Sequence, residues 1–195
     1  MSKELAEFIG ILLGDGSIDG KYQYRIQITL NKNDDVKILL KFRKNENALD
    51  IQIFNKKLVN FLIDEIGMKT SPKWNRAIVP KIFLNTDLEK YVLRGYFDTD
   101  GSVVITNNNG IMYPRLEMKI CPSPMRDSII DILHRLNFRF GVYNIENNRT
   151  RIQINGQAQL QKWLKEVGIK NPIYLKKAKS IARGGFEPPT FTPST

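Results

Sequence analysis

The sequence predicts an α+β fold made of two pseudo-symmetric αββαββα halves, and three observations carry that prediction. An apolar helix ending in Asp-Gly occurs twice, at Phe8–Gly16 and Leu93–Gly101, with Asp15 and Asp100 standing 85 positions apart. Each copy is followed by segments in which polar and apolar residues alternate, the pattern of half-buried strands. Each half then closes on an amphipathic helix stopped by a glycine, Gly67 in the first and Gly168 in the second.

In the first half, residues 1–68, Ser2 is a suitable N-cap and Glu4 and Glu7 lie in the early turns, where carboxylates complement the helix dipole. Small residues four apart, Gly10 and Gly14 in this copy and Gly95 and Thr99 in the other, share a helix face. Two such helices can press their backbones together and bring Asp15 beside Asp100. A short strand near Ser17–Lys21 turns at Asp19-Gly20 into Tyr24–Leu30, where Arg25, Gln27 and Thr29 alternate with Ile26, Ile28 and Leu30. Leu49–Phe54 alternates in the same way, and Leu58, Val59, Phe61, Leu62 and Ile66 mark the closing helix. Between Leu30 and Leu49, Val36–Phe42 has room for a helix or a strand but hardly both. Residues 69–85, with Pro72 and Pro80, read as a linker, and Thr86 or Asp87 can cap the second motif helix.

The second half, residues 86–177, repeats the order. Val103–Thr106 and Tyr113–Ile120 form a hairpin over an Asn-rich turn, with Arg115, Glu117 and Lys119 alternating with Leu116, Met118 and Ile120. Ile129, Ile132, Leu133 and Leu136 make a helix stopped at Asn137; Phe138–Ile145 and Arg149–Ile154, which carries Arg151 and Gln153, make a second hairpin. Leu160, Trp163, Leu164 and Val167 make the last helix. The motifs are 85 positions apart but the helix stops 101, so the first repeat is shorter by 16 residues, part of it the longer Asn-rich turn of the second half and the remainder between Leu30 and Leu49.

Composition narrows the partners. With 30 Lys and Arg against 20 Asp and Glu, the net charge of +10 favours a polyanion over an acidic protein or a neutral metabolite. A single cysteine, Cys121, excludes an internal disulfide or a cysteine-based zinc finger, and a single histidine, His134, is too few for a His-rich metal site. No apolar run approaches the ~18 residues of a membrane span and the start, Met1-Ser2-Lys3-Glu4, lacks a signal peptide's apolar core, so the expected location is the cytosol. Two carboxylates at the ends of neighbouring helices repel each other unless a cation lies between them. Asp15 and Asp100 therefore read as a divalent-metal site, with Mg²⁺ (or Mn²⁺) the expected ion because no soft ligand is nearby.

The repeated helix resembles the signature of the LAGLIDADG homing endonucleases. The second copy matches it at Leu93, Gly95, Asp98, Asp100 and Gly101; in the first, Leu13 stands where the earlier aspartate usually falls, and Asp15 is kept. The resemblance implies motif helices at the interface of the halves and saddle-shaped antiparallel sheets straddling double-stranded DNA. It implies site-specific, metal-dependent hydrolysis of both strands by a monomer, with Asp15 and Asp100, flanked by Gly14 and Thr99, as the metal set. A polar or basic residue at the foot of each sheet would orient water: Asn31 or Lys32 in the first half, and Lys119 in the second, where Cys121 competes. Arg25, Gln27, Thr29, Arg115, Glu117, Arg151 and Gln153 would face the bases. A maturase of the same fold that binds RNA, and a DNA-binding descendant without activity, are the alternatives.

After Asn171–Lys177, which resembles the family's closing segment, residues 178–195 read as a disordered tail with no periodic apolar face. Gly185-Phe186-Glu187-Pro188 back-translates to GGN-TTY-GAR-CCN, which with suitable third bases contains GGTTCGAACC and resembles the T-arm of a tRNA gene. The reading frame is therefore expected to run into a tRNA gene, the place an intron-borne endonuclease would occupy.

Overall fold

A computed structural model describes residues 1–31, 40–42, 48–108 and 111–182. The chain starts with α1 (Lys3–Gly14), whose first turn is capped by the Ser2 hydroxyl accepting from the Leu5 amide at 3.2 Å. Strands β1 (Gly16–Asp19), β2 (Arg25–Asn31), β3 (Leu40–Phe42) and β4 (Ala48–Phe54) follow, then α2 (Lys56–Asn60), which continues as a π-helical turn over Phe61–Glu65. The second half runs α3 (Glu89–Asp100), β5 (Gly101–Asn108), β6 (Ile111–Ile120), α4 (Met125–Arg135), β7 (Gly141–Ile145), β8 (Arg149–Asn155), α5 (Gln157–Glu166) and α6 (Pro172–Ala182). The helix stops at Gly67 and Gly168 have φ of 87° and 84°, the left-handed conformation that glycine adopts without cost.

Each half builds a four-stranded antiparallel sheet, in the orders β1-β2-β4-β3 and β5-β6-β8-β7. The topologies match even though the lengths do not. In the second half α4, 11 residues long, occupies the crossing from β6 to β7. In the first half the same crossing is residues 32–39, which lie outside the described residues. The ambiguous Val36–Phe42 stretch contributes a strand at residues 40–42, paired with β4.

The halves meet along α1 and α3. A Cβ built on Gly10 would collide with the Val92 carbonyl and lie 2.8 Å from the Tyr96 amide nitrogen. One built on Gly95 would collide with the Glu7 carbonyl and lie 3.0 Å from the Ile11 nitrogen. Adding 85 to each residue of one contact set yields the other, so the crossing has a local two-fold axis. Around it, Ile9, Leu12, Leu93, Tyr96 and Phe97 are buried, and the strand residues Ile26, Ile28, Leu116, Met118, Ile152 and Ile154 complete one core beneath both sheets.

Two expectations change. The segment read as a linker is a packed strap: Ser71 donates from its amide to the Ile18 carbonyl at 3.0 Å, Met125 donates to Ala77 at 2.9 Å, and Val79 and Phe83 are buried. The tail does not begin at residue 178. Asn171 Oδ1 accepts from the amides of Ile173 and Tyr174, starting α6, and Tyr174, Leu175, Ala178 and Ile181 lay a helical apolar stripe on the core, with Ala178 wholly buried. Interleaved lysines hide that stripe in the sequence. Residues 183–195 lie outside the described residues.

Candidate active site

α1 and α3 end side by side, with Asp15 as the C-cap of α1 and Asp100 as the last residue of α3. Gly14 makes their approach possible, since a Cβ there would collide with the Thr99 hydroxyl and lie 3.2 Å from Asp100 Oδ2. Burial, and secondly the Asp15 charge, push the Asp100 carboxyl up to about 6, while Lys73 and Arg149 pull it down. Asp15, Asp100 and Gly14 therefore converge as the sequence predicts. Thr99 joins them differently: its hydroxyl donates back to the Tyr96 carbonyl at 3.0 Å, and its side chain fills the space beside Gly14.

Lys73, in the strap, was not singled out in the sequence. Its ammonium donates to the Leu13 carbonyl at 2.9 Å and to the Gly14 carbonyl, at the negative end of the α1 dipole. Burial lowers its pKa, and the charges of Asp100 and Asp15 oppose that shift. One signal was available. Gly67-Met68-Lys69-Thr70-Ser71-Pro72 resembles Gly168-Ile169-Lys170-Asn171-Pro172, marking the start of the strap as repeat and not linker. Nothing distinguishes Lys73 itself among the 30 Lys and Arg.

Lys73, Asp100, Lys119, Cys121, Trp74 and Arg149 line a cleft of ≈ 480 Å³ at the helix ends. Lys119 is thus at the site, and so is its competitor Cys121, just past the end of β6. Tyr96 anchors this strand end, its hydroxyl donating to the Lys119 carbonyl at 2.8 Å. Gly16 faces Ile28 in one ladder and Gly101 faces Met118 in the other, so Lys119 corresponds to Thr29, and Asn31 to Cys121. Asn31 closes β2, while Lys32 lies outside the described residues. Arg149 is a further cation that sequence reasoning missed; its guanidinium sits 5.7 Å from the centroid of the half-exposed Trp74 ring.

The other signature aspartate, Asp98, is outside the cleft. Its carboxylate accepts from the amides of Lys170 at 3.0 Å and Asn171 at 3.2 Å, fastening the turn before α6, and burial pushes it up to about 6. Leu13, its counterpart in the first copy, is buried instead.

Among the described residues no three His, Cys, Asp or Glu cluster as a metal site. The donors that do converge are all oxygens: two carboxylates and the terminal carbonyls of α1, on which a cation, the Lys73 ammonium, already rests. An oxygen set with few carboxylates fits Mg²⁺ or Mn²⁺, which complete their shells with water and phosphate.

The residues assigned to nucleic acid, Thr29 aside, alternate along the sheets with core positions, and two of them, Glu117 and Gln153, are themselves buried. Arg25 and Gln27 alternate with buried Ile26 and Ile28, Arg115 and Glu117 with Leu116 and Met118, and Arg151 and Gln153 with Ile152 and Ile154. Thr29 faces Asp50 in the β2–β4 ladder. Tyr143 on β7, not anticipated, carries the Arg151 guanidinium 5.7 Å from its ring centroid.

Comparison with known proteins agrees with the fold. The family described as LAGLIDADG-like domain matches residues 87–168. The replication factor C small subunit of Methanocaldococcus jannaschii is 26% identical over 93% of this chain, which spans 10% of that protein; an uncharacterised protein of the same organism is 24% identical over 76%, of which the chain spans 60%. Among solved structures, I-DmoI in complex with DNA and Ca aligns over 92% of this chain and 96% of its own, with a TM-score of 0.60 at 13% identity. The meganuclease I-SmaMI bound to uncleavable DNA aligns over 93% and 91%, with a TM-score of 0.58 at 11% identity. The I-LtrWI LAGLIDADG homing endonuclease bound to target DNA aligns over 93% and 90%, with a TM-score of 0.56 at 13% identity. Residues 87–168 match the LAGLIDADG-like domain, and the chain as a whole has the fold seen in I-DmoI, I-SmaMI and I-LtrWI.

Proposed function

We propose that the protein is a site-specific endonuclease that cuts both strands of duplex DNA by metal-dependent phosphodiester hydrolysis. The observation that carries this reading is the convergence of Asp15 and Asp100 between two sheets with polar outer faces. The structural neighbours bound to DNA, and those of I-DmoI holding Mn or Ca, support it.

Hydrolysis needs an activated water, neutralised charge on the phosphorane oxygens and a stabilised leaving alkoxide, and a divalent metal, Mg²⁺ or Mn²⁺, would supply all three. Asp15 and Asp100 would hold it, each serving one strand, with the Gly14 carbonyl beside them. Lys119 and Arg149, lining the same cleft, bring positive charge to the scissile phosphate; Lys73 keeps the two carboxylates from driving the helix ends apart. The two halves of one chain suffice for two cuts, so the working unit is a monomer acting in the cytosol. Its target is a tRNA gene, a reading supported by the back-translation of residues 185–188.

Incubation with plasmids bearing intronless tRNA genes tests this. Linear product is expected with Mg²⁺ or Mn²⁺ and none with chelator. Binding without cutting would identify a DNA-binding descendant, and preference for RNA a maturase.

A further inference from the structure

Counted from the motif glycines, the two sheets carry Ser, Arg and Gln at the same three places, with Gln27 matched by its acid counterpart Glu117 at a fourth. In the first, Ser17 faces Gln27 on one side and Gln52 faces it on the other, with Arg25 two residues along β2. In the second, Ser102 and Gln153 face Glu117, with Arg115 two residues along β6. The local bonding repeats as well. Gln52 Nε2 donates to Gln27 Oε1 at 3.2 Å, and Gln153 Nε2 donates to Glu117 Oε1 at 2.9 Å. Other positions on these faces have diverged: Asp50 corresponds to Arg151, Asp19 to Val104, Phe54 to Asn155. Retention of this set where its neighbours differ points to a shared task.

We infer that the two sheets read the same base, a guanine, at two positions related by the axis between α1 and α3, Arg25 meeting one and Arg115 the other, and that Glu117 makes the second reading the stricter. This deepens the DNA-cleaving reading and rests on it. An arginine fork donating to guanine O6 and N7 is the commonest specific contact in the major groove. The two arginines are related by a two-fold axis, so the guanines lie on opposite strands at equal distances from the cut.

The difference between halves is one atom type. Glu117, itself nearly buried, puts Oε1 3.4 Å from Arg115 Nε, and that nitrogen makes no hydrogen bond within the protein. The carboxylate thus holds the guanidinium in place while leaving its donors to a base. Gln27 offers Arg25 no such charge. The acid across the ladder from Arg25, Asp19, attracts it by charge, but its Oδ1 is taken by the amides of Lys21 and Tyr22, both at 3.0 Å, and it lies on the edge strand and not beside Arg25 on β2. An orientationally restrained arginine loses less freedom on contact and rejects a wrong base more sharply.

The test is selection of bound duplexes by the full-length protein from a pool of randomised DNA, followed by sequencing. Enriched duplexes should carry two guanines on opposite strands at equal distances from a centre, the preference being stronger at one. Arg25→Lys and Arg115→Lys keep the charge but lose the fork. Each should relax its own guanine about tenfold or more while overall affinity changes only a few-fold. Glu117→Gln should lower the stronger preference to the level of the weaker. Enriched duplexes without the symmetric pair, or lysine variants acting at unequal distances, would overturn the inference and leave the DNA reading standing. A pool in which no duplex is enriched would overturn both.

Discussion

Gly10 and Gly95 occupy equivalent places on the two sides of one crossing: each lies over the carbonyl three residues before the other, Val92 for Gly10 and Glu7 for Gly95. Because the neighbouring backbone cannot yield, any side chain at either position must pry α1 from α3. Gly95→Leu and Gly10→Leu should each destabilise the fold by about 1–3 kcal/mol or more through overpacking. Chemical denaturation measures this, and an unchanged midpoint would place the interface elsewhere.

Asp98 and Asp100 both have carboxyls at about 6 in the fold, against 3.8 for an ordinary aspartate. The folded state therefore holds these protons more tightly than the unfolded one. Their contribution to stability is complete below about pH 4 and is lost as pH rises through 6. In metal-free buffer, Asp100→Asn should melt higher than the parent protein at pH 7, with the difference vanishing near pH 4. Mg²⁺ should raise the melting temperature of the parent at pH 7 and have little effect at pH 5, where Asp100 is protonated.

Lys73 is the cation on which the metal-free site depends. Lys73→Met takes the ammonium from the Leu13 and Gly14 carbonyls and leaves Arg149 alone to offset the Asp100 charge, and loss of a charged hydrogen-bond partner costs about 1.5–3 kcal/mol. The variant should melt lower without metal and recover most of the loss with Mn²⁺. A melting temperature indifferent to both changes would remove Lys73 from the centre.

Truncation distinguishes α6 from the residues after it. A chain ending at Ala182 should keep fold and cleavage, whereas one ending at Lys177 loses the buried Ala178 and the Ile181 carbonyl that accepts from Gln157 Nε2 at 3.2 Å, and should unfold more readily. Circular dichroism melts of the two chains decide this. If the shorter melts like the longer, α6 is not part of the core.

Much of this architecture is legible in the sequence because it rests on local periodicity. Alternation places β2, β4, β6 and β8, and the Gly10/Gly14 and Gly95/Thr99 spacing places the helix crossing. The features that escape are set by three-dimensional partners. Lys73 is indistinguishable from a surface lysine until the strap folds back onto the end of α1. The equivalence of Asn31 with Cys121, and not with Lys119, needs the ladder register counted from Gly16 and Gly101. α6 is concealed because basic residues interrupt its apolar stripe.

In the proposed function Asp15 and Asp100 form one cutting centre. The most direct test uses a supercoiled plasmid carrying a duplex that the protein binds, incubated with Mg²⁺ and the parent protein, Asp15→Asn or Asp100→Asn. The parent should yield linear DNA. Each variant should yield none while binding the duplex as the parent does, since contacts with phosphates along the sheets dominate affinity. Linear product from either variant at the parent's rate would contradict the assignment.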